Sequence, residues 1–379
     1  MLLAAAGAVS VVVWLYLLAA RGGFWLMRDA RPRGVLPAAA PSAVAVVPAR
    51  NEAETVRRAV ASLAAQSYPG AFHIVLVDDD STDGTAEAAR AAASPAILTV
   101  IRGRPLPPGW SGKLWAVDQG VREAARFAPD YLLLTDADIE HPPGNLAALV
   151  ARAESGPFDL VSYMATLGCR TLAERALVPA FVFFFFMLYP PAWVADPRRA
   201  TAGAAGGCML VKRAALERIG GLAAIRGELI DDCALARSIK AGGGRVWLGL
   251  SAATHSVRGY AGFAEIGGMI SRTAFTQLNY RAVMLAGTAA GLAIAYLLPP
   301  ALALAAPGGA ARWLGAAAWA MMSAAWLPCL RFYRRSPLWA PLLPLVAAFY
   351  LGATFHSAVS YWRGRGGMWK GRPQARGRQ

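Results

Sequence analysis

Short apolar runs alternate with amphipathic stretches over the first two thirds of the chain, and long uncharged runs then take over. Ala43–Val47, Phe72–Val77, Ala96–Ile101 and Tyr131–Leu134 are too short for core helices and read as buried strands. After the first of them, Val56, Ala59, Val60 and Leu63 fall at helical spacing, with Asn51 placed to cap the helix and Glu54 three residues on. Further helices are expected near Thr85–Ala93 and Lys113–Phe127. Gly206-Gly207 turns into another strand at Cys208–Val211, and Asp231-Asp232 open a helical pattern through Leu235 and Ile239. This alternation predicts an α/β fold, a mostly parallel sheet covered by helices.

The uncharged runs predict membrane segments. Leu2–Ala20 is followed by Arg21, Arg28, Arg31 and Arg33 rather than preceded by charge, which fits an uncleaved anchor with its basic flank in the cytosol better than a signal peptide. Val283–Ala306, Trp313–Leu330 and Pro337–Trp362 are each long enough to cross a core of about 30 Å. Pro299-Pro300 and the prolines at 337, 341 and 344 add kinked or re-entrant helices to the options. Three full crossings would leave the basic tail 363–379 outside, so Pro337–Trp362 is expected to return that tail to anionic lipid headgroups. The aromatic run Phe181–Tyr189 is too short to span. Its flanking Arg170, Arg175, Arg198 and Arg199 predict an interfacial helix over 171–194, with a core helix as the alternative. The expected organisation is an anchor (1–21), a cytosolic α/β domain (42–282), a membrane region (283–362) and a tail, in a multi-pass protein of the bacterial inner membrane.

With 38 Lys+Arg against 23 Asp+Glu the net charge is +15, yet no aromatic-interleaved basic motif points to nucleic acid, and much of the excess flanks apolar segments. Cys169, Cys208, Cys233 and Cys329 show neither zinc spacing nor a pairing pattern, which suits a reducing compartment. Acid is scarce and bunched: Asp78-Asp79-Asp80 with Asp83, Asp136-Ala137-Asp138, and Glu228 with Asp231-Asp232. The first two bunches directly follow strands, and ligands of open α/β sheets gather at the carboxyl ends of strands, so one crevice should collect them. An extended D-x-D points Asp136 and Asp138 to one side, offering two oxygens to a divalent ion and the diphosphate it carries. Turn chemistry alone accounts for Asp83, Arg50 reads at least equally as a loop residue, Glu140 and His141 read as surface, and His255 reads as a satisfied structural histidine before a metal ligand. No G-x-G-x-x-G follows the first strand, which argues against a dinucleotide-binding domain.

The ordered set Val46–Glu52, Val77–Thr85, Gly112-Lys113, Asp136–Asp138, Gly206–Lys212 and Asp231-Asp232 resembles the family 2 glycosyltransferases, inverting enzymes of GT-A fold, over roughly 42–280. More narrowly, Leu106–Lys113 and Arg272–Leu278 are similar to the hopanoid-cluster members called hopene-associated glycosyltransferase B. The resemblance implies Mg²⁺ or Mn²⁺ on Asp138 with Asp136, Asp78 or Asp79 at the uracil or ribose of a UDP-linked sugar, and Pro48, Arg50 and Glu52 near the base. It implies Lys113 at the diphosphate, with Arg272, Gln277 and Arg281 as further candidates, and a segment through Gly207 bordering donor sugar and acceptor. Asp232 inherits the general base, and Asp231 stands where the family usually has Glu. Asp80 replaces the usual Gly, and Gln277–Arg281 departs from the Q-x-x-R-W of chain-synthesising members. The implied partners are a nucleotide-sugar donor, a lipid acceptor (a hopanoid polyol or a polyprenyl phosphate) and the bilayer. Two rivals explain less: a sugar-nucleotide pyrophosphorylase would open with G-x-G-T-R after the first strand, and a silent membrane scaffold leaves the acidic set without a purpose.

Overall fold

A computed structural model describes residues 1–30 and 34–364, with the backbone of 368–369 and 372–373. It divides the chain into two compact units. One, formed by Asp29–Gly168 and Trp193–Arg258, holds eight strands: β1 (Ala43–Ala49), β2 (Phe72–Asp78), β3 (Leu98–Arg102), β4 (Tyr131–Thr135), β5 (Ile139–Glu140), β6 (Leu160–Thr166), β7 (Cys208–Lys212) and β8 (Val246–Ser256). They form one sheet in the order β3-β2-β1-β4-β7-β6-β8-β5.

The sheet is mixed, with four of its seven strand pairings parallel. β1 to β4 run parallel to one another and β6 runs parallel to β8, whereas β7 is antiparallel to β4 and β6, and β5 to β8. Every residue of β1 is buried, the continuous apolar pattern of a strand covered on both faces. The helix Gly112–Ala124 packs closely enough that a Cβ on Gly120 would lie 2.4 Å from Val46 Cγ1 and 3.0 Å from Val77 Cγ2. The antiparallel strand matters most for function. Its pairing Thr135↔Cys208 brings the start of β7, and Gly206-Gly207 before it, to the edge where β1, β2 and β4 end.

The other unit is helical and comprises Met1–Arg28, Cys169–Ala192 and the chain from Gly259 to its last described helix. Leu2–Ala19, Leu172–Ala195, Ala282–Ala305, Gly309–Phe332 and Pro337–Trp362 are each long and apolar enough to cross a membrane. The second of these is longer than its aromatic run suggests, because a capping box at Thr171 and Glu174 starts the helix early. Within the helical unit it is buried by neighbours: Phe184 meets Tyr296 and Tyr350 edge-on, and the Tyr350 hydroxyl donates to the Leu177 carbonyl at 2.9 Å.

Ala282–Ala305 continues past Pro299-Pro300 instead of breaking. A π-helical turn over Ala293–Leu297 precedes the prolines, whose rings lack the donors that would serve the preceding turn. The carbonyls left over are taken by the N-terminal helix, with Ser10 Oγ donating to Ile294 at 2.7 Å and Trp14 Nε1 to Ala295 at 2.7 Å. The tail beyond Gly364 lies outside the described residues, apart from those short backbone stretches.

Candidate active site

The acids of Asp136–Asp138 and Asp231-Asp232 meet at the carboxyl edge of the sheet, in two groups of charges, with the Asp78–Asp83 cluster apart from both. At the first, Lys113 leaves the first turn of its helix and places Nζ 2.8 Å from Asp136 Oδ1 and 3.4 Å from Asp231 Oδ2. Pro48, Leu134, Thr135, Gly206 and Met209 line the same cleft. Asp231 and Asp232 occupy the first turn of the helix Asp231–Ala241, where the helix dipole favours negative charge. Asp232 is held by two backbone donors: Gly206 N–H reaches its Oδ2 at 2.8 Å, and Cys233 N–H its Oδ1 at 2.7 Å.

Burial and the neighbouring Asp231 charge push the Asp232 carboxyl up to about 6, against the opposing pull of Lys113 and the two N–H groups. Burial, with the Asp138 charge added to it, also raises Asp136, although Lys113 resists. Burial alone would lower the Lys113 ammonium, but Asp136 and Asp231 outweigh it and hold Lys113 well above the usual lysine range. The result is one firmly charged cation among three carboxylates, of which Asp232 titrates near neutrality.

The second group was not anticipated. Arg258 Nη2 meets both carboxylate oxygens of Glu52 at 2.6 and 2.5 Å, while its Nε donates to Asp138 Oδ2 at 3.0 Å. Ser256 Oγ donates to the same oxygen at 3.0 Å. The available signal was weak: Arg258 stands just beyond the end of β8, at the edge where the acids follow their own strands.

Asp136–Asp138 is a turn rather than an extended strand, closed by Ile139 N–H on the Asp136 carbonyl at 3.3 Å. The strand alternation invoked for the pair therefore does not apply. Their carboxylates are instead set by different partners, Lys113 for Asp136 and Arg258 for Asp138. The pair remains a hard-oxygen donor set, and a bound cation would offset both the burial that raises Asp136 and the smaller contribution of the Asp138 charge. Mg²⁺ and Mn²⁺ are commonly held by one or two carboxylates plus phosphate oxygens, so this pair fits such an ion. Among the described residues no cluster of three or more His, Cys, Asp or Glu forms a cage of its own.

At the end of β2, Asp78 Oδ1 accepts from Ser81 N–H at 3.2 Å and stays partly open, whereas Asp79 is 1% exposed beside Arg50. Arg50 donates to the Asp79 carbonyl, and to that of Asp80 at 3.3 Å, so it ties the β1 loop to the β2 loop. Asp80 has φ 58°, a left-handed conformation that explains why glycine is usual there in the resembling family. Asp83 caps across loops, accepting from Ala53 N–H at 3.0 Å and from Thr85 N–H at 3.1 Å.

Several expectations are corrected. Asn51 does not cap its helix; at φ 51° it turns its amide to accept from Thr82 N–H at 3.0 Å, and Glu52 takes the N-cap position. His141 is no surface residue: it is 3% exposed, with Nε2 2.9 Å from Thr135 Oγ1 and Nδ1 2.9 Å from Asn145 Nδ2. Burial lowers it to about 3, so this imidazole is a neutral tie whose Thr135 partner donates onward to the Gly207 carbonyl at 2.7 Å. Glu140 is partly covered, paired with Arg58 at 2.5 Å and 3.6 Å from His255. The glycine facing the acids is Gly206, where a Cβ would come within 3.3 Å of Lys113 Nζ and 3.4 Å of Asp232 Oδ2, whereas Gly207 packs on Ile139. Arg272 and Gln277 lie on the helix Phe263–Gln277 of the helical unit, and Gln277 Nε2 there donates to the Tyr189 hydroxyl at 2.5 Å.

Residues 44–220 match the family model for Glycosyl transferase family 2. That stretch, just under half of the chain, is similar to a glycosyltransferase family 2 domain. Over 123 residues it is 32% identical to the undecaprenyl-phosphate 4-deoxy-4-formamido-L-arabinose transferase of Salmonella paratyphi A, a stretch covering 31% of this chain and 34% of the relative. The match thus spans about a third of the curated relatives it resembles, 34% in the first of them. The mannosyltransferase of Pyrobaculum calidifontis, solved with GDP-Man and Mn²⁺, superposes with a TM-score of 0.56 at 22% identity, covering 94% of this chain and 99% of its own. That likeness shows a GT-A-like α/β fold, with the mixed sheet described above.

Proposed function

We propose that the protein transfers a sugar from a nucleotide-diphosphate donor, UDP-linked in our reading, to the hydroxyl of a membrane lipid, with inversion at the anomeric carbon. The observation that carries this reading is Asp232, a carboxylate pushed up to about 6, fixed by Gly206 and Cys233 N–H groups and lying near the charged Lys113. A base poised near neutrality is what a hydroxyl acceptor requires. In the reaction the acceptor oxygen gives its proton to Asp232 and bonds to the anomeric carbon. The bond from that carbon to the diphosphate breaks on the opposite face, and the nucleoside diphosphate leaves. Lys113 supplies positive charge to the leaving group. Asp138 and Asp136, the D-x-D of this chain, would hold Mg²⁺ or Mn²⁺, which when bound supplies further charge to the diphosphate. Pro48, Glu52, Arg50 and Asp78 line the approach for the nucleoside in this reading, with Asp79 behind them; Gly207 supports the acceptor side through its carbonyl.

Five apolar helices support an acceptor embedded in the bilayer. Leu172–Ala195 connects β6 to β7, and the pairing of those strands in one sheet supports our reading of this helix as interfacial or re-entrant, with both ends on one face of the membrane. We place the catalytic domain in the cytosol of a bacterial inner membrane because the basic flank of Leu2–Ala19 favours that side, where anionic headgroups add to the attraction.

A hopanoid polyol is the hydroxyl acceptor that the Leu106–Lys113 and Arg272–Leu278 segments favour. A second reading, transfer to a polyprenyl phosphate, is favoured by the undecaprenyl-phosphate relative. The two differ in their need for a base, since a lipid phosphate is already an anionic nucleophile. Asp232→Asn keeps the shape and removes the proton acceptor, so transfer to a hydroxyl should fall by roughly 10²-fold or more. Near-normal transfer by Asp232→Asn, with a product cleaved by mild acid as a glycosyl phosphate is, would establish the phosphate reading instead.

A further inference from the structure

We infer that Arg258 is an internal counter-cation of the donor site, which occupies Asp138 when no divalent ion is bound and gives that carboxylate up when the ion arrives. The inference rests on the glycosyl-transfer reading and concerns a residue that reading does not use.

Glu52 and Asp138 are two carboxylates with side chains only 12% and 15% exposed. Like charges so placed need compensation. Arg258 provides it with one guanidinium, bidentate on Glu52 and single on Asp138. The hold on Asp138 is the weaker half. It is one contact at 3.0 Å, on an oxygen that already accepts from Ser256 Oγ. An ion entering at Asp138 Oδ2 competes with the guanidinium for that oxygen, because both are positive and both need its lone pairs. The Arg258 side chain is 33% exposed, so it can withdraw toward solvent, and the two Glu52 contacts keep it at the site when it does.

The turn bearing Asp138 does not depend on the guanidinium for its shape. Val257 N–H donates to the Asp138 carbonyl at 2.8 Å, and Ile139 pairs with Ser256 across the β5–β8 ladder. Removing the Arg258 side chain therefore frees Asp138 without releasing its backbone.

The apparent affinity for an ion is reduced by the fraction of sites in the competent, arginine-free form. The test is Mn²⁺ binding to the full chain in detergent without any nucleotide, read from the electron paramagnetic resonance of free Mn²⁺. If about a tenth of wild-type sites have Asp138 free, Arg258→Gln should bind Mn²⁺ about tenfold more tightly. Loss of a nearby positive charge would also favour Mn²⁺, and Arg258→Lys separates the two effects. It keeps the charge, but a single ammonium does not reproduce the fork that spans both carboxylates. Exchange predicts that Arg258→Lys too binds more tightly than wild type, by a smaller factor. Arg258→Lys at wild-type affinity, or weaker Mn²⁺ binding by both variants with the fold intact by circular dichroism, overturns the exchange. Should Arg258→Gln fail to fold, the lysine variant alone decides. Equal Mn²⁺ affinity in all three proteins sinks the exchange and leaves the glycosyl-transfer reading standing, whereas no binding by any of them removes the divalent ion from that reading as well.

Discussion

Asp232 sits between opposing influences, burial and Asp231 raising it, Lys113 and two backbone N–H groups lowering it, with a net position near 6. As a base it must be ionised to act, so kcat/KM should rise with pH through about 6 and level off above, and Asp232→Asn should abolish that limb. A profile without an acid limb near 6 would remove Asp232 from the proton-accepting role. Lys113→Gln is expected to weaken nucleoside diphosphate binding by roughly 10-fold or more in calorimetry, because Asp136 and Asp231 lose the cation between them and a diphosphate meets uncompensated acid. The acids and Lys113 were legible in the sequence, since charge directly after a buried strand has few structural excuses. His141 and Arg258 were not. The partners that bury His141, Thr135 and Asn145, are ordinary polar residues, and the partner of Arg258 at Glu52 is 206 positions away.

At the scale of elements, β1, β2 and β4 followed from their apolar runs to within two residues, and the helix at Asp231 began where its acids stand. β6 and β8 were not read as strands, and the antiparallel insertion of β7 is a tertiary choice with no local signature. The Asn51 cap failed for a related reason: the donor it would have satisfied, Ala53 N–H, is capped by Asp83 from the next loop. Helix–sheet contact yields a firm prediction at Gly120. A methyl there meets two valines of the sheet below ordinary contact distance, so Gly120→Ala should lower the unfolding free energy by about 1–3 kcal/mol, the usual cost of overpacking. Thermal denaturation of the purified variant checks this, and an unchanged or raised Tm would mean that the helix stands further from β1 than it does here.

For the whole molecule, hydropathy marked the long apolar helices, but the α/β unit ends at Arg258 rather than at 282 and gives up Cys169–Ala192 to the helical unit; which helices cross was not readable, because length and composition do not report chain direction. Connectivity helps where composition does not: β6 and β7 share a sheet, so the chain must return to the same side between them. Single cysteines at Arg170 and Arg198, in a background lacking the four native ones, should therefore react with a membrane-impermeant maleimide from the same side of sealed vesicles. Labelling from opposite sides would make Leu172–Ala195 a crossing and contradict the pairing of β6 with β7. The central claim is transfer of sugar to lipid, and its most direct measurement uses membranes holding the protein, radiolabelled nucleotide sugars and extracted lipids. The account predicts that label from one donor enters the organic phase, with one nucleoside diphosphate released per sugar moved, and that Asp232→Asn membranes show neither. Label that stays in water as free sugar or sugar 1-phosphate, whatever the donor and lipid supplied, would contradict it.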